Sequence, residues 1–423
     1  MTFKNNKFFL IRMTFKKLIP CFLLFLTITI FAQETTTKFK FYGYVGNDFF
    51  YNSRQNKDMV DGVIQLFPLP SDLSSTGVDK NAVPQAEMLS VNTRFGMDIS
   101  GAPILGAKTC GKIEADFDGF GTSFYVFRIR QAYMKLNWAK TELLIGQTWH
   151  PLFGNVAPTT LSANGGAPFQ PFNRSPQVRL KQNLCSTLSL TAALLYEMQY
   201  ASAGPLVTSN VYMKNAIAPD VFLGVESKTT HWTNGVGVDY KTIAPDTKQI
   251  SSLSAAAYSQ YVYSNFQLKA KVVYGQNLSD QLMLGGYGVS KFASDSTTAL
   301  SYTNFNNVSS WINAVYGSKF QVGLLLGVSK NLGTSEMLDI RKGGKLTNYG
   351  CGFYDVNNNS QQLLLDRLYR IAPSVCYNLP NLKFGVEYDF SSASFGTIQR
   401  NGSVINPYLV SNHRILVSVN YLF

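Results

Sequence analysis

Basic side chains recur two residues apart at three places, Arg128/Arg130, Arg179/Lys181 and Lys269/Lys271, and others stand singly at Arg94, Arg174, Arg370 and Arg414. A guanidinium or ammonium is a fixed positive charge that attracts anions and donates hydrogen bonds to their oxygens. Carboxylates at Glu114, Asp116, Asp118, Glu387 and Asp389 keep the same spacing and could pair with these cations. Groups for bond-making chemistry are scarce. The three histidines, His150, His231 and His413, fall in no recognisable order with a serine and a carboxylate, so no enzyme is expected. Beyond the N-terminus the cysteines are Cys110, Cys185, Cys351 and Cys376, too widely spaced for a zinc pattern. They read as structural or free thiols, and neither metal nor cofactor is expected. No nucleic-acid partner is expected either.

A spacing of two is the period of a β-strand, in which alternate side chains share one face. The last eleven residues make the pattern plain. Ile415, Val417, Val419, Tyr421 and Phe423 fall on one face, and Arg414, Ser418 and Asn420 on the other. The same alternation runs through Val91–Ile99, Phe266–Tyr274 and Leu382–Phe390, each with apolar residues on one side and charged or amide residues on the other. One such strand fits any half-buried sheet. Repetition along a single chain fits a transmembrane barrel, whose strands of about 9–11 residues face lipid on one side and the lumen on the other.

The pattern predicts strands at 38–50, 88–100, 106–118, 124–138, 140–149, 176–183, 186–199, 214–226, 231–242, 250–262, 265–277, 302–316, 319–330, 366–378, 381–392 and 411–423. Their number is about sixteen, and long connections (51–87, 150–175, 278–301, 331–365, 393–410) alternate with tight ones (101–105, 184–185, 263–264, 317–318, 379–380). Both termini then lie on the periplasmic side and every long connection outside. The expected fold is all-β, a closed transmembrane antiparallel barrel, and closure leaves no unpaired backbone in lipid. One strand breaks parity: in 124–138, Tyr125, Phe127 and Ile129 occupy one face, but Ala132, Met134, Leu136 and Trp138 the other. Either a bulge near Gln131 switches the faces, or part of the strand touches protein on both sides.

The flanks agree with this reading. Met1 to Gln33 holds five basic residues and no acid, followed by an apolar run from Leu18 to Ala32, the pattern of a secretory signal peptide. Removing its five charges from the formal +12 leaves +7 on the barrel, residues 34–423. Beyond Gln33 no run of eighteen apolar residues offers a membrane-spanning helix. Tyrosine and phenylalanine, 23 and 30 in number, are abundant enough for interfacial girdles. The outer membrane of a Gram-negative bacterium is the expected location, with its lipid as one partner and the barrel-assembly machinery, reading the terminal Phe423, as another.

The third long connection, about 150–175, carries Pro151, Pro158, Pro168 and Pro171 together with Phe153, Phe169 and Phe172. Prolines fix the backbone, and a free surface loop has no use for three phenylalanines as apolar anchors. An inward-folded third extracellular loop is therefore expected, narrowing the lumen. Charges facing hydrocarbon would cost about 2–4 kcal/mol each at the midplane, so Arg94, Arg128, Arg130, Arg174, Arg179, Lys181, Lys269, Lys271 and Arg370 are expected to point inward around it as the anion-selecting wall. Two readings of that wall stand: a preference for anions, or a field balanced by the inward carboxylates.

The stretches Phe127–Leu136, Leu144–Trp149 and Asn173–Leu180 resemble the trimeric porins of the dicarboxylate-permeable DcaP type, and more distantly the phosphate-selective porins. The resemblance implies a sixteen-stranded barrel, a homotrimer, and passive diffusion of small organic anions past Arg130, Arg174 and Arg179. The chain departs from the pattern in having its first strand within a few residues of the signal peptide, with no coiled-coil extension. The alternative function is a structural or adhesin-type barrel working through its outer loops. There Asp61, Asp72 and Asp79, near Gly62 and Gly77, could bind calcium or simply be solvated.

Overall fold

A computed structural model describes residues 37–119, 126–295, 298–339, 353–356 and 361–423. The signal-peptide region 1–33, Cys351 and much of 331–365 lie outside the described residues. Sixteen strands form the wall: β1 (Lys38–Asn52), β2 (Arg94–Ser100), β3 (Lys108–Gly119), β4 (Val126–Asn137), β5 (Thr141–Trp149), β6 (Arg174–Asn183), β7 (Leu188–Leu195), β8 (Asp220–Lys228), β9 (Trp232–Ile243), β10 (Ile250–Tyr263), β11 (Phe266–Gln276), β12 (Ala299–Gly317), β13 (Phe320–Thr334), β14 (Gln361–Asn378), β15 (Leu382–Ile398) and β16 (Val404–Leu422). Each pairs antiparallel with its neighbours in sequence, and β1 pairs with β16 from Tyr44↔Leu422 to Asn52↔Arg414, which closes the barrel. The seam is sealed at its end, where Gly43 N–H donates to Phe423 O at 3.0 Å and Phe423 N–H to Gly43 O at 3.1 Å.

Side-chain alternation sorts as the sequence implies. Phe41, Phe95, Phe127, Ile129, Leu268, Ile415 and Phe423 are exposed on the outer face, whereas Asp116, Arg130, Lys271, Arg370 and Arg414 are buried inside. The parity break in β4 is a bulge: the β3–β4 register shifts between Glu114↔Gln131 and Ala115↔Ile129. The extra residue at this point lets Phe127, Ile129 and Met134 share the outer face. His413 is exposed beside Tyr388, whose hydroxyl lies 2.7 Å from its Nδ1, and His231 sits in the tight turn before β9. Cys110, Cys185 and Cys376 are free thiols.

Several boundaries differ from the sequence expectation. The segment 393–410 is not a long loop, because β15 and β16 continue in register to Ile398↔Val404. Strands β12, β13 and β14 extend in the same way beyond their predicted outer ends. Apolar–polar alternation is imposed only where one face meets lipid, so the pattern stops at the membrane edge while the hydrogen-bonded ladder does not. The predicted strand 88–100 is two: Gln85–Leu89 and β2 both pair with β1, and between them Thr93 Oγ1 bonds Ser90 O at 2.8 Å. The predicted start at 214 falls in a short helix, Val211–Ala216, ahead of β8.

Candidate functional site

The third connection runs from His150 to Asn173, since Arg174 already pairs with Trp149 as the first residue of β6. Its fastenings are to inward-facing side chains on five strands. Asn155 Nδ2 donates to Glu226 on β8 at 2.6 Å. Lys269 on β11 donates to Thr159 Oγ1 at 2.7 Å, and Lys271 to Phe153 O. On β12, Asn313 accepts from Thr159 N–H at 2.8 Å and Trp311 Nε1 donates to Gln170 at 2.9 Å. Arg370 on β14 donates to Ala167 O at 2.7 Å, and Glu387 on β15 accepts from Leu161 N–H at 2.8 Å. Satisfying a buried loop backbone with side chains of the wall meets the demand that buried polar groups be paired.

Packing follows the same route. Val156, Leu161, Ala167, Phe169 and Phe172 are buried in one cluster with Trp311, Leu325 and Leu368. Glycines in the wall make room for it: a Cβ at Gly327 would lie 2.7 Å from the Phe169 ring, and one at Gly385 2.7 Å from Leu161. Phe153 stacks on Trp149 at 4.3 Å instead of entering the cluster. A second segment, which sequence reasoning left as an outer loop, joins the cluster. The hairpin Asn56–Met59/Ile64–Pro68 buries Ile64, Leu66 and Phe67, and Arg370 Nη2 donates to Leu66 O at 2.9 Å. Arg370 thus holds both loops at once while pairing with Asp389 at 2.9 Å. The signal for the hairpin was present in Val63-Ile64-Gln65-Leu66-Phe67, a nearly unbroken apolar run inside a connection expected to meet solvent.

The nine basic residues singled out from sequence divide into two groups. Five are matched by carboxylates: Arg128 with Asp116 at 2.7 Å, Arg130 with Glu114 at 2.9 Å and Asp116 at 2.6 Å, Lys181 with Glu226 at 3.2 Å, Arg370 as above, and Arg94 more loosely with Asp116 at 4.0 Å. Arg174, Arg179, Lys269 and Lys271 have no carboxylate within ion-pair distance among the described residues. Arg179 instead donates to Gln177 Oε1 at 2.8 Å and Trp149 O at 2.6 Å. Arg174 is fully buried, its Nε 3.0 Å from Gln199 Oε1 and its guanidinium 4.6 Å over the Trp149 ring, with Nη1 and Nη2 unpartnered. Lys271 lies within 6 Å of the Phe153, Tyr258 and Trp311 rings. Arg414 packs 4.1 Å over Phe50. Beneath the start of the loop a cavity of 470 Å³ is lined by Lys135, Glu142, Trp149, Arg179, Lys181 and Glu226, among others. In the first outer connection, Asp79 pairs with Arg54 at 2.8 Å and Asp72 with Lys80 at 2.9 Å, so two of the three carboxylates weighed for calcium already have cations.

No protein-family model matches the sequence, and no curated protein matches it. Solved structures do match the fold. The outer-membrane channel DcaP of Acinetobacter baumannii is 16% identical, with 92% of this chain and 98% of that chain covered at a TM-score of 0.65. OmpF of Salmonella typhi, in complex with daunomycin, is 13% identical over 92% of this chain and 98% of its own, at 0.53. An anion-selective porin from Comamonas acidovorans is 10% identical over 92% of this chain and all of its own, at 0.52. At these identities the likeness establishes architecture, and it agrees at that level with the resemblance seen in the sequence. The chain is a closed, sixteen-stranded antiparallel barrel with the fold of the outer-membrane porins.

Proposed function

We propose that this barrel is an outer-membrane porin through which small hydrophilic solutes, organic anions foremost, diffuse passively past a constriction built from residues 150–173. The observation that carries the proposal is the surplus of positive charge at that loop: Arg174, Arg179, Lys269 and Lys271 surround or hold it without carboxylate partners among the described residues, while Arg94, Arg128, Arg130, Lys181 and Arg370 are matched. In a water-filled bore with low-dielectric walls, unmatched charge raises the local concentration of counter-ions and biases what passes. Nothing in this role requires a nucleophile or an acid–base pair, and we read the chain as a channel without catalysis. The hydrocarbon-facing band, the terminal Phe423 and the fold support insertion into the outer membrane by barrel-assembly machinery. The sequence resemblance supports a homotrimer, to be tested by chemical cross-linking in detergent.

A second reading, weak selectivity from a balanced field, draws on Glu197, Asp220, Asp239 and Asp280, four buried carboxylates that surround the single ammonium of Lys241. The reversal potential under a salt gradient decides between the two. The double variant Arg179→Gln/Lys269→Gln removes two positive charges yet keeps a donor at each position. Its anion-over-cation permeability ratio should fall several-fold from a wild-type value above one. A wild-type ratio near one, or a ratio unmoved in the variant, would leave the balanced field as the better account. An adhesin-type barrel would show no stepwise openings in a planar bilayer. The inward packing of 56–68 and 150–173 weighs against loops devoted to an outside partner.

A further inference from the structure

We propose that His150, Asp220 and Asp239 form a binding site for a divalent transition-metal ion of the zinc class, clipping the start of the third loop to the barrel wall. His150 is the first residue of the loop, Asp220 the first of β8, and Asp239 lies on the inner face of β9. One ligand atom from each falls within 4.8 Å of the other two. All three residues are buried, and four of their polar atoms have no hydrogen-bond partner: His150 Nε2, Asp239 Oδ1 and both carboxylate oxygens of Asp220. His150 Nε2 lies 3.8 Å from Asp239 Oδ1, too far for a hydrogen bond. Zinc bonds of about 2.0–2.2 Å to nitrogen and oxygen place tetrahedral ligand atoms about 3.4 Å apart, so an ion fits between them after a small contraction.

Charge points the same way. Lys241, two residues along β9 from Asp239, has its ammonium already taken: Asp280 Oδ1 lies at 2.5 Å, Asn277 O at 3.0 Å, Ser202 Oγ at 3.1 Å and Glu197 Oε1 at 3.4 Å. One lysine therefore faces four buried carboxylates, and Asp220 and Asp239 are the two it does not touch. Uncompensated buried charge is strongly unfavourable, and coordination to a cation is one of the ways it persists. One imidazole with carboxylates suits zinc, nickel or iron(II); calcium and magnesium favour sites made of oxygen alone. Of the three residues, His150 lines the 470 Å³ cavity.

Loading has an identifiable cost. Leu152 N–H donates to His150 Nδ1 at 3.2 Å, so the neutral ring carries its proton on Nε2. Coordination through Nε2 displaces that proton and a proton is taken up at Nδ1, so no net proton leaves the ring, and Leu152 N–H loses its acceptor. The affinity should accordingly fall below that of a preorganised structural zinc site. Sequence spacing could not reveal the set, because positions 150, 220 and 239 meet only once the barrel is closed.

The test uses the full-length barrel, folded in detergent and carrying Cys185→Ser so that an exposed thiol does not compete. Equilibrium dialysis against zinc followed by elemental analysis should give one equivalent per chain, retained in excess calcium. The affinity should drop at least about tenfold in His150→Ala and in Asp220→Asn. Cobalt(II) offered to the otherwise unaltered barrel should give the visible absorption of a tetrahedral nitrogen–oxygen site, a readout that needs no variant to fold. A folded barrel that retains no zinc and gives no cobalt spectrum overturns the proposal. Binding that is unchanged in both variants overturns it as well, by placing the metal elsewhere.

Discussion

Deleting residues 155–168 should raise the single-channel conductance at least about twofold if, as proposed, the segment narrows the bore. It contributes Val156, Leu161 and Ala167 to the interior cluster and reaches Asn313, Glu387 and Arg370 on the wall beyond. None of the sixteen ladders involves these residues, so the barrel should still assemble and show its heat-dependent gel mobility. Arg370 would keep Asp389 and its bonds to Gln65 and Leu66 of the hairpin. A parallel deletion of 57–67 separates the two contributions. If the hairpin is the narrower obstacle, its removal will outweigh that of 155–168. Unchanged conductance in both variants would mean that neither segment sets the bore, and the proposed constriction would fail with them.

The wall was legible in the sequence because lipid imposes a rule on every second residue. Where the rule applies the strands fall where the alternation puts them, as in 266–274 and 413–423. Where it lapses, outside the membrane, the ends of β12 to β16 were missed. Parity likewise told which cations face inward, since one face of each strand is closed to charge. It could not say which of them are neutralised. Arg130 and Arg179 look alike in sequence, yet one meets Glu114 and Asp116 across the β3–β4 ladder and the other meets only carbonyl oxygens. That difference depends on register, and the register at β4 depends on a one-residue bulge. The third loop stood apart from the other connections by its prolines and phenylalanines. The hairpin at 56–68 carries a single proline, Pro68 at the end of its second strand, and was hidden among ordinary loop residues, although Val63 to Phe67 carried the same apolar argument.

Register also separates two roles that charge alone would merge, and Arg130→Ala exposes the difference. Arg130 is buried, with Nε on Glu114 Oε1 and Nη1 on Asp116 Oδ2, and Asp116 accepts from Arg128 as well. Removing one member of a buried ion pair strands its partner, which typically costs about 3–5 kcal/mol, far more than the pair contributes relative to a neutral replacement. Arg130→Ala should therefore lower barrel stability by about that amount, read from the urea midpoint of folding into detergent micelles. Arg130→Lys, retaining charge without the two-pronged geometry, should lose less. Adding Glu114→Gln to Arg130→Ala should recover part of the loss, because one stranded carboxylate disappears. Arg179→Gln, whose partners are neutral, should unfold near the wild-type midpoint while shifting the reversal potential. Equal stability losses in Arg130→Ala and Arg179→Gln would mean that the carboxylates beside Arg130 are solvated, and the division between matched and unmatched cations would lose its physical basis.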